Sequence, residues 1–339
     1  MKNKILVTGG LGYIGSHTVV SLLENNFEVV IIDNLSNSKE EVLDRIEKIA
    51  GVKPTFVKLD LCDVDQLSQF FRSKEGLSIA GIIHFAAFKY VGESAENPLK
   101  YYHNNLLSLV NLLGAMETFG LTNLVFSSSC TVYGNVQEMP VNEQTPLQPV
   151  ASTYGNTKKI SEEIIADVVR VHKFNSIVLR YFNPIGGHPT GLLGEYPSAF
   201  TDNLMPALTQ VAMGKKEKFN VYGGDYNTPD GTCVRDYIDI IDLAEAHVKA
   251  INYLFANSGA TINGVYNVGT GKGFSVMEVI KAFEQATGKK IQYEIVDKRK
   301  GDVEKVFADP SLANEELGWK AQRNLEDMIH TSWKWQQSR

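Results

Sequence analysis

The 339-residue chain has little cysteine, no long basic run and no long apolar stretch, and each shortage excludes something. Cys62, Cys130 and Cys233 are odd in number and far apart, which argues against a disulfide framework and a zinc site and suits a reducing cytoplasm. A net charge of −6 excludes a general nucleic-acid binder, so single arginines must handle any phosphate. No apolar run reaches the length of a membrane span, and Met1-Lys2-Asn3-Lys4 passes straight into a strand without a secretory apolar region. His84, His103, His172 and His188 lack metal-ligand spacing, so no metal is expected. Internal repeats and low-complexity linkers are also missing. With 43% hydrophobic and 21% charged residues, the chain reads as globular, with room for one large or two moderate domains.

What is present begins at once. Lys4-Ile5-Leu6-Val7 reads as a strand and Ser16 to Asn25 as a helix, with Thr8-Gly9-Gly10-Leu11-Gly12-Tyr13-Ile14-Gly15 between them. Gly9, Gly12 and Gly15 let the strand turn sharply, let backbone approach a pyrophosphate and let the helix pack closely, its N–H groups facing phosphate. The next strand ends in Asp33, an acid that accepts from the adenosine ribose and repels a 2′-phosphate, so NAD is expected rather than NADP. Strands predicted at 4–8, 27–33, 54–59, 80–85, 122–127 and 176–182 alternate with helices at 13–25, 39–50, 63–74, 98–119 and 152–172. That alternation specifies an α/β fold, a Rossmann-type doubly wound parallel sheet. From Asn183 the chain turns rich in Pro, Gly and Tyr, the composition of long ordered loops. A helix at 240–255 and a strand at 264–268 then return to the sheet. The expected division is 1–182 plus 239–268 for NAD, and 183–238 plus 269–339 for a smaller, discontinuous C-terminal substrate domain, with Trp319, Trp333 and Trp335 on a helix packed against it.

Reactive groups in such a sheet belong at the carboxyl ends of strands. The predicted strand Leu124-Val125-Phe126 ends in Ser127-Ser128-Ser129, and Tyr154 and Lys158 share a face of the next helix. Of fourteen tyrosines, Tyr154 alone has a lysine four residues on. Bringing a phenol from about 10 toward neutrality takes roughly 4 kcal/mol of phenolate stabilisation, which a lysine ammonium and a positive nicotinamide can supply. Ser129 would hold the same substrate hydroxyl.

Dinucleotide loop, serine triplet and Tyr/Lys pair together resemble the extended short-chain dehydrogenase/reductase family, in which serine, tyrosine and lysine carry hydride chemistry on NAD. The resemblance narrows through 126–134, Leu179-Arg180-Tyr181-Phe182-Asn183-Pro184, Asp202-Asn203-Leu204-Met205-Pro206, 230–237 and Glu315-Glu316-Leu317-Gly318-Trp319 to its UDP-galactose 4-epimerase branch. Sister dehydratases carry an acidic pair where this chain has Ser129-Cys130-Thr131, and no carboxylate lies between Ser127 and Gly134. The implied reaction is therefore oxidation at C4 of a UDP-hexose, rotation of the 4-keto sugar and return of the hydride, on tightly bound NAD.

The resemblance implies cofactor contacts at Tyr13, Ile14, Asp33, Asn34, Leu35, Ser36, Asn37, Ser38, Asp60, Leu61, Phe85, Ala86, Ala87, Phe88, Lys89, Asn104 and Phe182, besides Tyr154 and Lys158. Asp60 reads equally as a helix N-cap. For the substrate it implies Ser129, Tyr154, Tyr181, Asn183, Asn203, Leu204, Asn220, Val221 and Tyr222, with Arg235 and Arg299 on the diphosphate and Asp302 near the uridine ribose. Val306 aligns with the wall beside the sugar C2, where a small residue admits N-acetylated sugars; a slip by one residue would put Phe307 there. Two rival readings are an epimerase of UDP-glucuronate, which needs a cation for the sugar carboxylate, and a non-catalytic NAD sensor. The resemblance also implies a homodimer through helices 98–119 and 152–172, with no nucleic-acid or membrane partner.

Overall fold

The computed structural model describes residues 3–196, 203–299 and 302–339. Its strands open with β1 Lys4–Thr8, β2 Glu28–Asp33, β3 Thr55–Lys58, β4 Ile79–His84, β5 Asn123–Ser129 and β6 Asn175–Tyr181. Then come β7 Asn183–Ile185, β8 Phe219–Tyr222, β9 Val234–Asp239, β10 Asn263–Val268, β11 Gly273–Ser275, β12 Tyr293–Val296 and β13 Lys305–Val306. Seven of these form a parallel sheet in the order β10-β6-β5-β4-β1-β2-β3. The near-continuous apolar runs need both faces covered, as parallel strands do. Ile5 and Val7 face one core, closed by helices Tyr13–Glu24, Val42–Ala50 and Ile240–Ala256. Leu6 faces the other, closed by Val64–Arg72, Pro98–Phe119 and Thr153–Val171. The chain winds outward from β1 to β3 and restarts at β4 on the opposite side, so a crevice opens beyond the carboxyl ends of β1 and β4.

The remaining strands are short. β9 pairs with β11, β13 and β7, and β8 pairs in parallel with β12. They enclose a third core with helices Leu204–Ala212, Val276–Thr287 and Leu325–Gln337. The first two of these helices are not legible from periodicity. Pro206 reads as a breaker, but it occupies the first turn, where a missing N–H costs nothing. Val276–Thr287 is announced only by a capping box between Ser275 and Glu278.

Ser127 to Ser129 are the last three residues of β5, paired with β6, so the serine triplet stands at the strand end as expected. One local expectation is corrected. Trp319 lies outside the C-terminal helix and packs in the main core, its Nε1 donating to the carbonyl of Asp242 at 2.8 Å.

Candidate active site

The glycine loop builds the floor of a cleft of about 310 Å³. Gly9 turns out of β1 at φ +70°, and a Cβ there would lie 2.8 Å from the amide nitrogen of Ala86, on the loop after β4. A Cβ at Gly15 would lie 2.3 Å from the carbonyl oxygen of Gly9. Helix Tyr13–Glu24 starts at Gly12 with no side-chain cap and no acid in its first turn, which leaves its first N–H groups for an anion. Asp33 accepts from the backbone of Leu11 at 3.1 Å and Leu35 at 2.9 Å, and from Ser38 Oγ at 2.7 Å. An ionised carboxylate accepts about four bonds, so roughly one place is left for a ribose hydroxyl. Glycines that a side chain would fill, an uncapped helix end and an acid closing β2 together fit a dinucleotide.

The cofactor residues expected from sequence line this cleft, except Leu35 and Phe182. Leu35 sits at φ +62° with its side chain against the main core, while Phe182 is buried beside Val132, Tyr133 and Val306. Asp60 is not the helix cap. Asp63 caps Val64–Arg72, and Asp60 lines the cleft and accepts from Asn34 Nδ2 at 3.1 Å. Sequence reasoning misses Lys39, Tyr90, Ser127, Glu195 and Tyr196, which line it too. The nearest signal for Glu195 and Tyr196 is their Gly- and Pro-rich surrounding.

Ser152 caps the helix Thr153–Val171 by accepting from the amide of Gly155 at 3.0 Å, and this sets Tyr154 and Lys158 one turn apart at the cleft. Lys158 Nζ donates to the carbonyl of Ser127 at 2.6 Å and lies 5.9 Å from the Tyr154 ring centroid. Burial draws its pKa down to about 7, opposed by the Glu162 carboxylate one turn further on. Glu162 in turn pairs with Arg180, which donates through Nε at 3.0 Å and Nη2 at 2.6 Å, and accepts from the Ser128 hydroxyl. Burial pushes the Tyr154 phenol well above its ordinary value, while the Ser129 hydroxyl draws it back. The protein's own groups therefore do not bring the phenol toward neutrality. Ser129 accepts from the amide of Thr131 at 3.3 Å and from Thr131 Oγ1 at 3.0 Å, which leaves its own proton to donate. Tyr181, expected at the substrate, lines the cleft with its hydroxyl bonded to that of Ser127.

Of the expected substrate residues, Asn220, Val221 and Tyr222 lie on β8, Arg235 on β9, and Arg299 and Asp302 on the segment before β13. Arg299 Nε donates to Asp302 at 2.9 Å, its guanidinium lies 4.6 Å from the Tyr222 ring centroid, and Arg235 stands 3.7 Å from the same Asp302. Asp302 thus sits between the two arginines. Alternation along β8 exposes Asn220 and half-exposes Tyr222 while burying Val221 in the third core, so the Val221 side chain is not part of the site. Asn203 precedes helix Leu204–Ala212 and donates to Glu195 at 2.7 Å, Leu204 packs on the third core, and Asn183 opens β7. Val306 and Ala308 point into the cluster around Phe182, whereas Phe307 lies on the opposite side, where a Cβ at Gly273 would meet its ring at 3.2 Å.

Residues 6–332 match the family described as GDP-mannose 4,6 dehydratase. The chain is 49% identical over 335 residues to the UDP-glucose 4-epimerase of Bacillus subtilis (strain 168), covering 98% of this chain and 97% of that relative. Its fold superposes with a TM-score of 0.94, at 44% identity, on a Stenotrophomonas maltophila UDP-glucose-4-epimerase with bound NAD and formylated UDP-arabinopyranose, covering 100% and 98% of the two chains. A Bifidobacterium longum UDP-glucose 4-epimerase in complex with NAD+ and UDP gives 0.93 at 42% identity, covering 99% and 98%. With a glycine-floored cleft, Tyr154 and Lys158 one turn apart at its wall and this likeness from end to end, the chain belongs to the UDP-glucose 4-epimerase family.

Proposed function

We propose that this chain interconverts UDP-glucose and UDP-galactose by inverting C4, with bound NAD supplying an acceptor that takes the C4 hydrogen and returns it to the other face. The observation that carries the reading is the pairing of a half-buried Tyr154 with a buried Lys158 at the wall of the dinucleotide cleft, with the Ser129 hydroxyl buried at the end of β5 and drawing on the Tyr154 phenol from just outside that wall. Tyr154 takes the proton of the C4 hydroxyl, Ser129 donates to that oxygen, and the Lys158 charge favours the phenolate. Arg235 and Arg299 hold the diphosphate, with Asp302 fixing both, and Asn183, Asn203, Asn220 and Tyr222 hold the remaining nucleotide. Leu204 and Val221 serve as the packed residues that orient them. A firm grip on UDP and a loose one on hexose let the 4-keto sugar turn over.

Dehydration is disfavoured by the same site. Burial pushes the Cys130 thiol up to about 12, so it stays protonated, and the Thr131 hydroxyl is committed to Ser129. With no carboxylate between Ser127 and Gly134, nothing there removes a further hydroxyl.

The sugar range follows from Val306. Its position on the Phe182 side, with Phe307 turned away, supports a wall wide enough for UDP-N-acetylglucosamine and UDP-N-acetylgalactosamine. We read 1–182 with 239–268 as the NAD-binding domain and 183–238 with 269–339 as the UDP-sugar domain. Leu99, Val110 and Val171, exposed on Pro98–Phe119 and Thr153–Val171, support a homodimer through those helices; a monomer by light scattering would contradict it. Cys62, Cys130 and Cys233 are free, which supports a reducing cytoplasm, and no helix among the described residues is long and apolar enough to cross a membrane.

The test is a coupled assay offering UDP-galactose, UDP-N-acetylgalactosamine and UDP-glucuronate in parallel. Turnover of the first two is expected. Bound NAD with no epimerisation of any of them would overturn the reading.

A further inference from the structure

Glu195 is a buried acid that the proposed chemistry does not use, yet one of its oxygens serves both sides of the site. Its Oε1 accepts from Lys89 Nζ at 2.9 Å, on the loop after β4, and from Asn203 Nδ2 at 2.7 Å, at the start of helix Leu204–Ala212. The backbone at 195 is pinned as well, since its carbonyl accepts from Trp335 Nε1 at 2.9 Å. Glycine at 194 permits this, because a Cβ there would lie 2.4 Å from the Trp335 ring. A carboxylate held from behind and shared by two donors fixes both in direction. An ammonium has three donors, so Lys89 keeps two for a ligand. Burial alone would lower the Lys89 pKa, but the Glu195 charge more than offsets this and keeps it cationic.

We infer that Glu195 is a positioning residue that orients Lys89 toward the cofactor and Asn203 toward the sugar nucleotide through one carboxylate oxygen. This rests on the reading that Lys89 contacts NAD and Asn203 the substrate.

Glu195→Gln keeps the shape and removes the charge. Expected are about tenfold faster loss of NAD on gel filtration and about tenfold higher KM for UDP-galactose, with kcat within about threefold. The melting temperature stays within a few degrees, which separates positioning from general destabilisation. In double variants, Glu195→Gln on top of Lys89→Met adds nothing further to NAD loss, and on top of Asn203→Ala adds nothing further to KM. Additive effects, or a lowered melting temperature with NAD retention and KM unchanged, overturn the inference. If Lys89→Met and Asn203→Ala alone leave both readouts at wild type, the underlying reading fails along with it; if they do not and Glu195→Gln does, only this inference fails.

Discussion

The cofactor wall of the cleft takes Gly9 to Gly15, Asp33 and the segment 85–89 from neighbouring strand ends of one parallel sheet, with glycines in contact with backbone. The proposed substrate side draws Asn203, Tyr222, Arg235, Arg299 and Asp302 from separate short elements, and its arginines are 14% and 37% exposed in their side chains. The first wall is fixed by backbone geometry, where a methyl group is already too much. The second is held by side chains in charge pairs, which tolerate adjustment. That difference suits a cofactor that stays and a sugar nucleotide that must bind, turn and leave.

The comparison can be broken most sharply at Tyr154. Tyr154→Phe is expected to lower kcat about 10³-fold while NAD remains bound; near-normal epimerisation measured by the coupled assay would remove the assignment. Gly15→Ala should come next, losing bound NAD and about 1–3 kcal/mol of stability in urea, because the Gly9 carbonyl cannot move away without moving the loop. Arg235→Lys should instead leave the melting temperature unchanged and raise KM about tenfold, as a side-chain wall predicts. If Arg235→Lys unfolded the protein, the contrast between the walls would be lost.

Lys158→Met tests the buried charge itself. Burial lowers the Lys158 pKa to about 7, below its unfolded value of about 10.4. Between those pH values the unfolded chain holds the extra proton, so stability rises with pH, and the burial cost is fully present below pH 7. The variant should be more stable than wild type by about 1–3 kcal/mol at pH 6, a gap that closes toward pH 10, although it is inactive. The smallest effect is expected at the rim of the sugar site, where Val306→Tyr should cut turnover of UDP-N-acetylgalactosamine severalfold more than that of UDP-galactose.

The main sheet and its strand ends were legible because their signals are local. Gly9, Gly12 and Gly15, Asp33 closing β2, and Tyr154 with Lys158 four residues on are set by spacings that any reader of the chain can measure. Leu204–Ala212 and Val276–Thr287 were not legible, since a proline in the first turn and a short capping box are weak against a Gly- and Pro-rich background. Val221 and Phe182 carried no sign of which way they face.

Neighbouring residues alone specify the parallel sheet, the dinucleotide loop and the Tyr154 and Lys158 pair, because strand period, helix period and glycine turns are local properties of the chain. Long-range packing is what puts Asp302 between Arg235 and Arg299 and lets one oxygen of Glu195 hold both Lys89 and Asn203. Those pairings depend on which chain segments, far apart in sequence, bury their apolar faces together, and no local spacing encodes that choice.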